Sequence, residues 1–302
     1  MRCFAGCAEP NCGALLWRYV RELPQDLRRP HSTNRGVGLY DDKVYVGTLD
    51  AHVVALDARS GRVVWDQAVE DYQLGYYITM APLVANGKVM VGTSGGEQGI
   101  RGSVTALDAV SGDEVWKRYT IPAPDEPGSE TWRGESWRTG GGPVGLTGTY
   151  DPELDLIFWG AAQAKPWHRV SRETGDSELL YTSSTLALDP DTGEIEWHYQ
   201  YVPGESFDMD EHFAFINVDV EGRESGFMMG KHGILWEDVQ QFVGLDSLAV
   251  GLELLAAGRQ FSFQGIALLG QVGNLLSPGR LGFPIRWPSQ QCRQLTGNRG
   301  QG

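Results

Sequence analysis

Short apolar runs broken by Gly, Asp and Ser recur along most of the chain, and their alternation is that of strands rather than helices. Lys43-Val-Tyr-Val-Gly47 and His52-Val-Val-Ala-Leu56 form a first pair of expected strands. Ala81-Pro-Leu-Val84, Lys88-Val-Met-Val91 and Ser103-Val-Thr-Ala-Leu107 repeat the scheme. Leu156-Ile-Phe-Trp159 and Ser184-Thr-Leu-Ala-Leu188 open a third group. Phe215-Ile-Asn-Val-Asp219, Gly226-Phe-Met-Met229 and His232-Gly-Ile-Leu-Trp236 open a fourth.

Within this pattern one longer motif returns almost unchanged. It reads Ala55-Leu-Asp-Ala-Arg-Ser-Gly-Arg-Val-Val-Trp65, then Ala106-Leu-Asp-Ala-Val-Ser-Gly-Asp-Glu-Val-Trp116, then Ala187-Leu-Asp-Pro-Asp-Thr-Gly-Glu-Ile-Glu-Trp197. A degraded copy is Gly13-Ala-Leu-Leu-Trp17. Each copy predicts a hairpin: a strand ends at Leu-Asp, the Asp and Ser/Thr side chains satisfy turn backbone, Gly takes positive φ, and a second strand runs out to Trp. Units of roughly 50 residues with four short strands are those of a propeller blade, and the Trp is expected to wedge between neighbouring blades. The expectation is therefore an all-β, partial β-propeller of about four blades over residues 13–236.

Three segments fall outside the repeat. Residues 1–12 read as an atypical N-terminal piece, and Ile121 to Pro143, rich in Pro, Gly, Glu and Trp, as an insertion of the functional-loop or cap kind. Residues 237–302 carry neither repeat nor alternation, apart from an amphipathic stretch at Leu245–Ala257. Because the repeat stops in mid-blade without capping sequence, a truncated or frame-shifted copy of a longer protein is favoured over a natural extension.

Charge and composition narrow the function. A formal net charge of -14 opposes nucleic-acid binding, and no basic, aromatic-rich stretch offsets it. Cys3, Cys7, Cys12 and Cys292 sit at the two ends without metal-ligand spacing. Met1-Arg2-Cys3 runs on into Ala8-Glu9-Pro10 with no secretory apolar core. Asp246 and Glu253 interrupt the best apolar run, so no membrane span is expected.

Candidate chemistry starts at Asp208-Met-Asp210. Alternate residues of an extended segment face one way, so both carboxylates can address one object, which suits a hard cation or acid/base work. Three other stretches supply companions: the Gly-dense Ser94-Gly-Gly-Glu-Gln-Gly-Ile-Arg-Gly102, the cation in Asn34-Arg35-Gly36, and the amide of Gln163 at the end of a strand in Trp159-Gly-Ala-Ala-Gln-Ala-Lys-Pro-Trp167. Taken singly, each also fits a tight bend or a solvated cation.

With these stretches, Tyr150-Asp-Pro-Glu-Leu154, Leu180-Tyr-Thr-Ser-Ser184 and Trp197-His-Tyr-Gln200, the chain resembles the pyrroloquinoline quinone (PQQ) dependent alcohol dehydrogenases, eight-bladed quinoprotein propellers. The resemblance covers about residues 13–236, under half of such a propeller. It implies Glu97, Gln163, Asp208 and Asp210 as metal ligands and Asp208 as general base. It further implies that Ser94, Gly95 and Gly96 line the quinone, that Arg35 and Thr79 hold its carboxylates and carbonyls, and that Lys231 lies near its ortho-quinone oxygens. Asp210 matches the extra carboxylate of lanthanide-using members. Three carboxylates at one ion suit a trivalent cation, while calcium, which also takes acidic oxygen cages, stays open. The implied partners are a small alcohol and a cytochrome c-type electron acceptor, with room for a homo-oligomer; the implied location is the periplasm.

Departures from the family pattern are also plain. The metal-binding Asn falls on Gln163, the Trp under the quinone falls on Gly145, and the vicinal Cys pair falls on Arg29 and Pro30. Enzyme status therefore stays open, with alcohol oxidation belonging to the intact parent. Two other readings stand beside it: a non-catalytic propeller-repeat binding or scaffold fragment, and a decayed gene product.

Overall fold

The computed structural model describes residues 2–6, 15–28, 32–220 and 223–239 of the 302. The expected helix at 245–257, the tail beyond 239, and Cys7, Cys12, Cys292, Arg29 and Pro30 lie outside these. Three four-stranded antiparallel meanders form the body. The first holds β3 (Gly38–Tyr40), β4 (Lys43–Gly47), β5 (His52–Asp57) and β6 (Val63–Ala68). The second holds β7 (Leu83–Ala85), β8 (Lys88–Gly92), β9 (Ser103–Asp108) and β10 (Glu114–Tyr119). The third holds β11 (Thr149–Asp151), β12 (Leu156–Ala161), β13 (Ser184–Leu188) and β14 (Ile195–Gln200).

A three-stranded sheet follows, β15 (Ile216–Val220), β16 (Arg223–Met229) and β17 (Leu235–Val239), running three residues past the boundary expected at 236. At the other end β2 (Leu15–Val20) pairs with β1 (Arg2–Gly6), so the segment expected to stand apart contributes a strand. The first strands of consecutive sheets touch one another, β3 with β7, β7 with β11 and β11 with β15. This is the radial order of propeller blades.

Burial follows position in the blade. The middle strands β12 and β13 are buried on both faces, whereas β6 alternates between exposed and half-buried residues. A strand covered on both faces needs a continuous apolar run, and an outer strand needs only alternation. One core cluster joins three sheets through Tyr45, Ile78, Met80, Val91, Leu107, Trp159 and Leu188.

The repeated Trp residues act between sheets, as the motif predicts. Trp17 Nε1 donates to Ala58 O (2.9 Å), Trp65 Nε1 to Ala109 O (3.3 Å) and Trp116 Nε1 to Pro190 O (3.0 Å). Each acceptor lies in the Asp-x-x-Ser/Thr-Gly turn of the next sheet, and each indole lies flush on that turn's glycine. A Cβ at Gly61, Gly112 or Gly193 would come within 2.5 to 2.7 Å of the docked ring. The turns are held by their own Asp: Asp57, Asp108 and Asp189 accept from backbone amides two and three residues on. Trp197, the last of the series, packs instead beside Phe158, Phe215 and Met228.

Candidate metal and quinone site

An antiparallel meander puts the start of its first strand and the link between its second and third strands at one end of the sheet. Arg35, Thr79 and the Asp208–Asp210 stretch lead into first strands. Ser94–Glu97, Gln163–Lys165 and Lys231 lie between second and third strands. All therefore gather at one end of the blades, and the Trp-docking turns lie at the other. A second glycine position sets the approach. Gly47 and Gly92 close the second strand of their sheets and Gly160 is the last residue but one of β12; a Cβ there would strike Ile78 (2.4 Å), Val144 O (2.3 Å) and His212 O (2.1 Å). Each neighbour belongs to the segment entering the next sheet, so bare backbone lets those segments pass directly over the blade end.

Two clusters result. In the first, Arg35 Nη1 donates to Thr79 Oγ1 (2.6 Å) and reaches Gly145 O (3.4 Å); Thr79 Oγ1 lies 3.3 Å from Ser94 Oγ. Thr79 and Ser94 are buried, while Arg35 is exposed. A Cβ at Gly145 would meet only Ser94 Oγ, at 3.1 Å, so space lies open where the family pattern has an aromatic ring. Between the clusters, burial and the nearby Glu97 carboxylate push the Tyr77 phenol up to about 12 against the opposing charge of Arg35. Gly95, at φ 121°, and buried Gly96 carry the chain from Ser94 to Glu97.

The second cluster holds three of the expected ligands, Gln163, Asp208 and Asp210. Gln163 Nε2 donates to Asp208 Oδ1 and to Asp210 Oδ1 (2.7 Å for the latter). Lys231 Nζ lies 2.6 Å from Asp210 Oδ2 and 3.4 Å from Asp208 Oδ2. Burial works to raise the Asp210 carboxyl, but hydrogen bonds from Lys231 and Gln163 outweigh it and hold the group below the usual carboxylate range. The same bond raises Lys231. Asp208 adopts φ 59°, a left-handed conformation that Asp tolerates better than most residues. Gln163 is 3% exposed, and its Oε1 is buried without a hydrogen-bond partner.

That orphaned amide oxygen tests the fit of a metal. Among the described residues no group of three or more His, Cys, Asp or Glu is placed to hold a metal ion. Gln163 Oε1, lacking any donor beside two carboxylates, adds the neutral oxygen that a hard cation accepts, and amide orientation is reversible by a half-turn. Glu97, Gln163, Asp208 and Asp210 are all oxygen donors from three inter-strand stretches, a donor type that suits a hard cation; Asp208 and Asp210 meet on Gln163 Nε2, and Glu97 is linked to Asp208 through the Lys165 ammonium.

Several neighbours had no clear signal in the sequence. Lys165 Nζ stands 3.0 Å from Glu97 Oε1 and 3.8 Å from Asp208 Oδ1, which revises the count of three negative charges: with Lys165 and Lys231 the set sums to about -1 at the level of formal charges. Burial pushes the His212 imidazole down to about 4, and its Nδ1 has no partner. Buried Glu211 accepts from His232 N (2.7 Å) and Nδ1 (2.8 Å), fixing the turn after Lys231. Arg172, on the single helical turn Arg169–Arg172, donates to Pro166 O (2.9 Å), Gly204 O (3.3 Å) and Glu205 O (2.8 Å), tying the Gln163 loop to the Asp208 loop.

Arg101 goes elsewhere. It stacks on Tyr119 (4.1 Å) and Trp137 (4.8 Å) and donates to Ile121 O (2.8 Å), anchoring the insertion instead of the site. Tyr181 fastens the same insertion through Pro127 O (2.9 Å). The end of the insertion and the residue after it do reach the site: Gly142 N donates to Gln163 O (3.3 Å) and Val144 N to Thr93 O (2.7 Å).

Comparison with known proteins identifies the family of the propeller. The family model described as PQQ glucose/ethanol/alcohol dehydrogenase, β-propeller domain, matches residues 6–229. Quinohemoprotein alcohol dehydrogenase ADH IIB of Pseudomonas putida is 41% identical over 242 residues, 74% of this chain and 35% of the relative. The lanthanide-dependent methanol dehydrogenase of Methylacidiphilum fumariolicum is 38% identical over 213 residues, 64% of this chain and 34% of the relative. A europium-containing methanol dehydrogenase superposes with a TM-score of 0.70 at 32% identity, covering 76% of this chain and 44% of that one. The chain thus spans about a third of the length of these curated relatives. Sheet order, docked Trp residues and sequence match agree, and the chain belongs to the PQQ-dependent glucose/ethanol/alcohol dehydrogenase β-propeller family.

Proposed function

We propose that this chain carries the metal-binding and part of the quinone-binding machinery of an alcohol-oxidising quinoprotein. The observation that carries the reading is Gln163, whose Nε2 bridges Asp208 and Asp210 while its Oε1 is buried without a hydrogen-bond partner, an oxygen that a bound cation would satisfy. Bound there, PQQ supplies the two-electron acceptor and the metal supplies Lewis acidity. Glu97, Gln163, Asp208 and Asp210 hold the ion. Arg35, Thr79 and Ser94 present donors to anionic and carbonyl oxygens, with Gly95 and Gly96 allowing close approach. Lys231 directs its ammonium to the same region, and the Asp208 carboxylate takes the hydroxyl proton of a primary or secondary alcohol.

Calcium and a lanthanide both match an all-oxygen set, with Asp210 favouring the higher charge. A cytochrome c-type protein is the proposed electron acceptor and the periplasm the proposed location. Lysines beside every carboxylate favour a second reading, a non-catalytic propeller segment whose site charges are largely offset within the chain. Incubation with PQQ and calcium or lanthanum separates the two. Alcohol-dependent dye reduction that disappears in Asp208→Asn supports catalysis. Its absence with both ions removes the catalytic reading for this chain.

A further inference from the structure

Lys165 has a position that the reading above does not use. Its side chain is 5% exposed, and its ammonium lies between Glu97 Oε1 and Asp208 Oδ1, 4.2 Å over the Trp167 ring. Its aliphatic stem is fitted between glycines: a Cβ at Gly141 would fall 2.5 Å from Lys165 Cγ, and one at Gly96 would fall 3.2 Å from Cε. The backbone is pinned as well, Lys165 N donating to Gly140 O (2.7 Å). Burying a lysine costs side-chain entropy and desolvation, so a position shaped around it implies that its charge is matched inside.

We propose that the Lys165 ammonium is a tethered cation that shares the space between Glu97 and Asp208 with the metal, and so lowers the site's metal affinity and its preference for trivalent over divalent ions. This rests on the metal-site reading. Without metal, Lys165 neutralises carboxylates brought together from two sheets, and the site assembles in a cation-free protein. An incoming ion must displace the ammonium or bind against its repulsion, which grows in proportion to the ion's charge. Removing the lysine therefore helps a trivalent ion more than a divalent one.

Terbium titration of the full chain, read by luminescence sensitised through the nearby Trp167, tests this directly. Calcium affinity follows from competition. Lys165→Met is expected to bind terbium at least about tenfold more tightly than the unaltered chain, with a smaller gain for calcium. In chelator the same variant melts at a lower temperature than the unaltered chain, and terbium restores it. Lys165→Gln, close in length, gives the same readings if the methionine variant fails to fold. Equal or weaker terbium binding in the variants, with binding intact in the unaltered chain, overturns the role of Lys165 and leaves the metal site standing. No terbium binding in any of the three chains overturns both.

Discussion

Substituting Gly193 isolates the contact that couples one blade to the next. Gly193 has φ 70°, and an added Cβ would lie 2.5 Å from Trp116 Cε3, far inside van der Waals contact. Gly87, in the turn between β7 and β8, has nearly the same backbone (φ 69°) but nothing within 4 Å of the added atom. Gly→Ala at either site imposes about 1–2 kcal/mol of left-handed strain, offset by ~0.4–1 kcal/mol from a less flexible unfolded chain. Only Gly193→Ala also forces the indole off its turn, which adds ~1–3 kcal/mol of overpacking and ~1 kcal/mol if the bond from Trp116 to Pro190 is lost. The difference between the two variants is thus expected at about 2–4 kcal/mol. Urea unfolding followed by tryptophan fluorescence and circular dichroism measures it. Equal midpoints for Gly87→Ala and Gly193→Ala would refute Trp docking as the source of blade coupling.

Three other perturbations test the site and its supports. Gly160→Ala would place a methyl 2.1 Å from His212 O and push the Asp208–Asp210 segment off the blade end, so terbium binding should fall by about tenfold or more while far-UV circular dichroism is retained. Arg172→Met leaves buried carbonyls of two loops without donors at ~1–3 kcal/mol each, and a loss of roughly 3 kcal/mol is expected in chemical denaturation; an unchanged midpoint would deny Arg172 its tie between the loops. Burial holds the His198 imidazole below its ordinary range, so the folded chain binds fewer protons than the unfolded one. Stability from that group is complete above about pH 6.5 and is lost as pH falls through the depressed value, a slope that His198→Phe should flatten. The turn carboxylates, held low for Asp57 by Ser60 and for Asp108 by the amides of Ser111 and Val110, lose their contribution in the same direction at lower pH.

The blades were legible because their signals are local. Strand alternation, the Asp-held turn and the Gly-to-Trp interval are written within each repeat, and the docking of Trp17, Trp65 and Trp116 on the following turn agrees with them. The meeting of Gln163, Asp208, Asp210 and Lys231 follows the resemblance, which had named all four, while Glu97 is linked to them through Lys165. Lys165 was not singled out: a lysine four residues past a strand usually faces solvent, and its stem is covered by Gly141, arriving from a separate insertion, and by Gly96. Arg172 was hidden for a similar reason, because its partners are backbone carbonyls, which carry no residue-type signature. The strand at Arg2–Gly6 appears only through its pairing with β2.

The indole hand-off runs one way, the rings of Trp17, Trp65 and Trp116 each reaching forward to the succeeding sheet and none of the three back. Deletions from opposite ends are therefore not equivalent. Trimming the leading edge takes away a ring and bares a turn that its own Asp still organises, whereas trimming the trailing edge leaves a large aromatic side chain with its landing place gone. Shortened versions that stop after a turn should stay soluble more readily than versions that stop after a tryptophan, an asymmetry that gives the array a polarity independent of its chemistry.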